Sequence, residues 1–276
     1  MALVPFLFGA TGRTALPGPV LRRLLGDLGL SADAGRALLS RMGRHGQLTS
    51  ERRGRCVEYR LSGEFAESFE RVRTQAMTRP AGWTGSYHAL LYQVPEHHRT
   101  FRDALRRAAV LSGYGVLQQG VLISPTDRSS ALAQWLADRP PGAEVWLSHL
   151  TLASQDAARA AATAWDLPDL ARTYRQHIDR LCARLDAGTT APTGPRAPAL
   201  QGEVARLRDY THTLLPILID TLREPVLPKD LLPDDWPGPR LRTTLDEYTA
   251  TFEPAIQAYL RELLHPAPTA TPRRAP

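Results

Sequence analysis

Within its first 61 residues the chain changes hydrophobic period, and that change limits what it can fold into. Val20, Leu21, Leu24, Leu25 and Leu28 recur at helical spacing, and Gly29 follows as a stop signal. Ser31 is a good N-cap for a second helix over 32–43, in which Gly35, Leu38, Leu39 and Met42 share one face. The opposite face carries Arg36, Ser40 and Arg44, spaced by four and hence stacked along one side, with Arg41 flanking them. After Gly46 the run 47–52 has strand character, and Val57-Glu58-Tyr59-Arg60-Leu61 alternates with period two. Arg53-Gly54-Arg55 between them predicts a tight basic turn.

Helix, helix and a basic-tipped hairpin is the order of a winged helix-turn-helix, whose second helix enters the major groove while the wing touches phosphate. Arginine suits both tasks, because its planar fork pairs bidentately with a guanine edge or a phosphate. Arg52, Arg53 and Arg55 are the expected phosphate contacts, and Ser40 serves either role. An ordinary solvated face accounts for the helix spacing by itself; the basic hairpin and the charge distribution weigh against it. Residues 1–79 hold 13 Arg and 7 Asp or Glu, leaving 21 basic and 21 acidic residues elsewhere, so the whole net charge of +6 is N-terminal. A basic module on a neutral body is the footprint of a protein that meets phosphate backbone with one end. Lys229 is the sole lysine among 34 basic residues, so arginine abundance alone carries little information.

A length of 276 residues predicts two or three compact units at roughly 150 residues each. With 43% hydrophobic and 22% charged residues, wholesale disorder, collagen and a coiled-coil rod are excluded. Cys56 and Cys182 suffice neither for a disulfide scaffold nor for a cysteine-built zinc site, which points to a reducing cytoplasm. Nothing approaches the roughly 20 apolar residues of a membrane span. Residues 1–9 are apolar but lack a positive leader and a cleavage site, and read as a first helix.

A second block follows the break at Arg79-Pro80-Ala81-Gly82. It reads strand 87–94, helix 96–112, strand 115–118, strand 121–124, helix 127–138 and strand 144–150, the βαββαβ order of a ferredoxin-like domain. On its first helix Phe101, Leu105, Ala108 and Ser112 mark the buried side. Arg99, Arg102 and Arg106 line the other, either as an anion site for a phosphate-bearing effector or as a solvated face, the latter being more economical. The third block is helical over 154–264, broken at 187–199 and at the Pro-rich stretch 224–239. The expected domains are therefore 1–80, 81–150 and 151–265, with a disordered tail over 266–276, and the fold class is α+β.

Signatures of catalysis are sparse. Gly113-Tyr114-Gly115 followed by Gly120 lacks the spacing and the following helix of a dinucleotide fingerprint. His97 and His98 are adjacent, so on a helix they diverge by about 100° and cannot share one ion. Asp234 and Asp235 could hold a metal, but capping and turn formation is the simpler account.

The segment 31–48, with Arg53-Gly54-Arg55 and Tyr59-Arg60-Leu61-Ser62, resembles the N-terminal domain of the phenylacetic-acid degradation repressor (PaaX) family. The resemblance extends along the chain through Leu7-Phe8-Gly9, Val94-Pro95-Glu96, Gly113-Tyr114-Gly115 to Ile123-Ser124-Pro125, and Trp165-Asp166-Leu167. Its longest element is the run from Pro228-Lys229-Asp230 to Trp236-Pro237-Gly238. It implies a dimeric transcriptional regulator, usually a repressor, with winged-helix, ferredoxin-like and C-terminal helical domains. In phenylacetic acid catabolism the namesake releases DNA on binding phenylacetyl-CoA, so the expected partners are double-stranded DNA, a second copy of the chain and an aryl-acyl-CoA effector. No cofactor, metal or catalytic residue is implied. The resemblance places Arg36, Ser40, Arg41 and Arg44 on the recognition helix and Arg53 and Arg55 in the wing. Gly35 and Gly43 stand where the family usually has aliphatic residues, and Gln47 where Trp is common. Each interior glycine costs about 1 kcal/mol of helix propensity, so this recognition helix is expected to be soft until it docks.

The middle domain also resembles the small CRISPR-associated ribonucleases, which raises a metal-dependent nuclease as an alternative. Such cleavage needs a carboxylate near the end of the first strand, where Gln93 stands, with Glu96 unaccompanied. A ligand-sensing or dimerisation unit is the preferred reading, and a winged helix that docks protein is a further alternative. An effector pocket between the middle and C-terminal domains would draw on Trp83, Trp146, Trp165 or Tyr174, although core packing explains each of them more simply.

Overall fold

The computed structural model describes residues 2–54, 56–63, 66, 82–189, 199–221 and 225–264. Helix α1 (Leu3–Thr11) precedes a two-residue strand β1 (Leu16–Pro17), helices α2 (Gly18–Asp27) and α3 (Ala32–Arg44), and the hairpin β2 (Leu48–Arg53) and β3 (Cys56–Leu61). The α2–α3 pair closes on Leu21, Leu24, Leu25, Leu38, Leu39 and Met42, all buried. These are the residues whose spacing predicts the two helices. Pro19 opens α2 in the first helical turn, where its missing N–H costs nothing. The hairpin is antiparallel, and β1 adds a third strand in the order β1-β3-β2, with Leu16 opposite Tyr59. This is a winged helix-turn-helix.

The middle of the chain runs β4 (Ser86–Gln93), α4 (Arg99–Leu111), β5 (Gly115–Gln118), β6 (Val121–Ser124), α5 (Ala133–Ala137), β7 (Glu144–Thr151) and α6 (Ser154–Ala164). Its sheet order is β5-β6-β4-β7 with antiparallel neighbours, the ferredoxin-like plait. The helix expected over 96–112 begins as a 3-10 turn at Glu96–His98, and the one expected over 127–138 shrinks to a 3-10 turn at Ser129–Leu132 and the short α5. Two local effects shorten it. The Asp127 carboxylate accepts the Ser129 N–H at 2.8 Å, and Pro140 bars the residue before it from helical geometry.

Both faces of the sheet are covered. Leu90, Tyr92 and Leu122 meet Leu105 and Ala109 of α4 on one side. On the other, Tyr87, Ala89 and Ile123 meet Ala157, Ala160 and Ala161 of α6. The Pro-rich interruption beyond 224 supplies Leu227 and Leu231 to this second core. At Gly115 an ideal Cβ would fall 2.5 Å from the Trp165 ring, so only glycine admits that indole. Replacing Gly115 by Ala is expected to cost about 1–3 kcal/mol through overpacking, read as a lower urea midpoint at constant slope.

Helices α7 (Leu167–Thr189), α8 (Ala199–Thr221) and α9 (Gly238–Leu264) complete the chain. The fold divides into two compact units, one of residues 1–77, 177–222 and 240–276, the other of 78–176 and 223–239. In the first unit the C-terminal helices enclose α1, whose Val4, Phe6, Leu7 and Phe8 are all buried. A helix apolar on every side must be covered all round. Phe6 approaches the Tyr210 ring at 6.5 Å, and Gln257 Nε2 donates to the Ala10 carbonyl at 2.8 Å.

Within this unit Asp27 ties the winged helix to the C-terminal helices. Only 8% exposed, its carboxylate accepts the Tyr259 hydroxyl at 2.6 Å and Arg23 Nε at 3.0 Å, while Arg208 Nε donates to its backbone carbonyl at 2.6 Å. Replacing Asp27 by Ala strands a buried hydroxyl and is expected to cost about 2–4 kcal/mol, with Tyr259→Phe costing about half as much, both by chemical denaturation.

Burial also raises the hydroxyl pKa of Tyr87, Tyr92, Tyr114, Tyr210 and Tyr248, and burial with the Asp27 contact takes Tyr259 to about 12. Unfolded tyrosine ionises near 10. The contribution of Tyr259 is therefore complete below pH of about 10 and is lost as pH rises to about 12. Denaturation followed across that window should show falling stability, with a shallower fall in Tyr259→Phe.

Candidate nucleic-acid interface

Helix α3 begins where Ser31 Oγ accepts the Ala34 N–H at 3.2 Å, with Asp33 in the first turn and Arg41 and Arg44 in the last. Acid at the N-terminus and base at the C-terminus both suit the helix dipole. Gly35, Leu38, Leu39 and Met42 are buried, which turns Arg36, Ser40, Arg41 and Arg44 outward, all exposed. Arg36 Nη2 is held by Asp33 one turn back. Among the described residues Arg41 and Arg44 form no ion pair, so their guanidinium groups stand toward solvent.

The hairpin sorts its side chains by register. Ser50 pairs with Tyr59 and Arg52 with Val57 on one face, whereas Glu51 pairs with Glu58 on the other. Period-two alternation thus keeps both acids of the paired strands off the face that carries Arg52. Arg52 Nε reaches the Gly54 carbonyl at 3.4 Å, and Gly54 turns the chain with φ +62°. Arg53 lies in β2; its side chain, and Arg55, are outside the described residues. So is the break expected at residues 79–81, and so is the tail over 266–276.

The residues expected for an effector do not form one group. Arg102 bonds Glu96 at 2.8 Å and Arg99 stands 3.5 Å from Asp103, so two of the three arginines on α4 have acidic neighbours. Arg102 correspondingly holds the Glu96 carboxyl below its ordinary value. Arg106 is exposed. Trp83 and Trp165 pack on the core beneath α6 together with Trp236. Trp83 lies 4.6 Å from the Tyr87 ring, and Tyr174, fully buried, 5.6 Å from Trp236. Trp146 stands apart on the edge strand β7, 49% exposed. Asp234 and Asp235 lie in a turn closed by the Trp236 N–H donating to the Pro233 carbonyl at 3.0 Å, and Asp235 pairs with Arg175. His97 and His98 lie in a 3-10 turn, where their ring centroids come within 4.2 Å. Among the described residues no group of three His, Cys, Asp or Glu is placed to hold a metal ion, and no helix is long and apolar enough to cross a membrane.

A basic helix beside a hairpin, a ferredoxin-like sheet and a set of C-terminal helices define a class of three-domain α+β proteins with an N-terminal winged helix. Residues 7–65 match the family model for a PaaX-like protein, 80–164 that for the PaaX protein central Cas2-like domain, and 165–262 that for the PaaX-like C-terminal domain. The chain belongs to the PaaX-like family, whose members are generally transcriptional regulators and typically not enzymes. Among solved structures, the uncharacterized protein Rv0674 from Mycobacterium tuberculosis is similar in fold, with 23% identity and a TM-score of 0.57 over 93% of this chain and 96% of that one. No curated protein matches the chain.

Arg22, Ser50 and Tyr59 face the same side as the outer residues of α3, and sequence reading missed them. Arg22 belongs to a helix read only for its apolar stripe, and the signal for the other two was the hairpin register. Because the cap orders the start of α3, Ser31→Ala is expected to cost about 1 kcal/mol, measured as a lower melting temperature with the fold retained.

Proposed function

We propose that the chain is a DNA-binding transcriptional regulator, acting as a repressor, that binds a pseudo-palindromic operator as a two-fold dimer. The observation that carries this reading is the outward face of α3, where Arg41 and Arg44 stand exposed beside Ser40 and next to a hairpin face bearing Arg52. Such a helix fits the major groove, where a guanidinium pairs with guanine O6 and N7, while the wing arginines meet phosphate. A dimer must set its two recognition helices about 34 Å apart to reach successive major grooves. Release follows when a small acidic effector, an aryl-acyl-CoA by analogy with the family namesake, binds and changes that spacing. Such a regulator works in the cytoplasm, where the DNA is.

The test is a titration of purified protein against its own upstream DNA and a scrambled control at two salt concentrations, with and without magnesium. Preference for the upstream DNA by about a thousandfold, with the DNA intact, is expected. Equal weak binding to both, or cutting with magnesium, would overturn the reading. Replacing Arg41 by Ala should cost about 1–3 kcal/mol on the preferred sequence and flatten discrimination at one base pair. An equal loss on every sequence would instead make Arg41 a positioning contact.

A further inference from the structure

Between α3 and the hairpin the winged helix holds a concave cup of about 360 Å³. Arg22 of α2, Arg36, Ser40 and Gly43 of α3, and Ser50 and Tyr59 of the hairpin form its walls. Leu39 and Leu48 form the only apolar part of the lining apart from the tyrosine ring, and no carboxylate lines it among the described residues. Among its polar lining residues, two arginines and three hydroxyl-bearing side chains are all able to donate hydrogen bonds. One nitrogen of Arg36, Nη2, is held by Asp33, which leaves the remaining donors of its fork.

We propose that this cup seats one phosphodiester of the duplex DNA backbone, with Arg22 as a phosphate ligand that neither the motif nor the recognition face assigns. The inference rests on the DNA-binding reading above. A helix lying in a major groove about 12 Å wide fills it, so the backbone forming the groove wall runs along the helix flank. The cup occupies that flank, between the helix and the wing. Its volume is many times the roughly 30 Å³ share of one water, enough for a phosphate and its adjoining sugar.

Gly43 supplies an independent handle. An ideal Cβ there meets only the Leu48 carbonyl oxygen, at 4.0 Å, so a side chain is tolerated by the fold yet enters the cup. Gly43→Gln is therefore expected to raise the melting temperature, through better helix propensity, while weakening DNA binding about tenfold or more. Arg22→Ala should weaken binding roughly ten- to a hundredfold. The loss should be equal on upstream and scrambled DNA, because a phosphate contact carries no sequence information. It should also reduce the slope of log K against log salt by about 0.9. Arg22→Lys should restore the slope.

The experiment is fluorescence anisotropy of the full chain and these variants on both DNAs across a salt series, with inorganic phosphate as a separate titrant followed by melting temperature. If the wild type prefers its upstream DNA while Arg22→Ala and Gly43→Gln keep its affinity and slope, the phosphate seat is wrong and the DNA-binding reading stands. If inorganic phosphate stabilises the wild type and not Arg22→Ala, yet the DNA slope is unchanged, the cup is a small-anion site and the proposal is overturned. A wild type without salt-dependent DNA binding removes both.

Discussion

A carboxylate buried without partners costs several kcal/mol, so Asp27 has to be paired, and its partners decide how the winged helix is held. It is the last residue of α2, four positions before the N-cap of α3. One neighbour, Arg23, comes from its own helix; the others, Arg208 and Tyr259, come from α8 and α9. Because α2 and α3 share one apolar seam, fixing the end of α2 also fixes the support on which the basic helix lies. The C-terminal helices are thus structural members of the domain that bears the basic face.

That face depends on keeping acid away from it. On α3 the acid sits at the helix start, where the dipole welcomes it and where it holds Arg36 by one nitrogen. In the hairpin Glu51 and Glu58 occupy opposed positions on the far side of the strand pair. Two residues of equal charge directly opposite one another are unfavourable, and Arg60 lies within 3.9 Å of Glu58 to offset it. The arrangement gives one side of the hairpin hydroxyls and Arg52 without a competing carboxylate.

Much of this was legible in the residues. The stripe over α2 and α3, the Ser31 cap and the hairpin alternation are local signals, and the strands at 115–118 and 121–124 follow from short apolar runs between glycines. The outward set Arg36, Ser40, Arg41 and Arg44 follows from the same spacing. Other features depend on distant partners and leave no local trace. Strand β1 is too short to show a period. Asp27 looks like half of an ordinary i,i+4 pair with Arg23 until Tyr259 arrives from 232 residues away. The Pro-rich stretch beyond 224 reads as an interruption because the core that takes Leu227 and Leu231 belongs to the sheet domain. Likewise the cup needs α2, α3 and the hairpin together, and no single element announces it.

The apolar helix α1 carries a consequence for how the molecule is made. Its cover comes from α8 and α9, and the bond from Gln257 to the Ala10 carbonyl closes a separation of 247 residues. Contacts of such high sequence separation form late, since the entropy of closing the loop must be met before they contribute. While the chain is being synthesised, the basic helix and hairpin emerge long before the segments that cover α1 and pair with Asp27. A ribosome-bound chain therefore carries an unfinished winged helix with exposed apolar surface, and the finished form arises only after the last helix has been added.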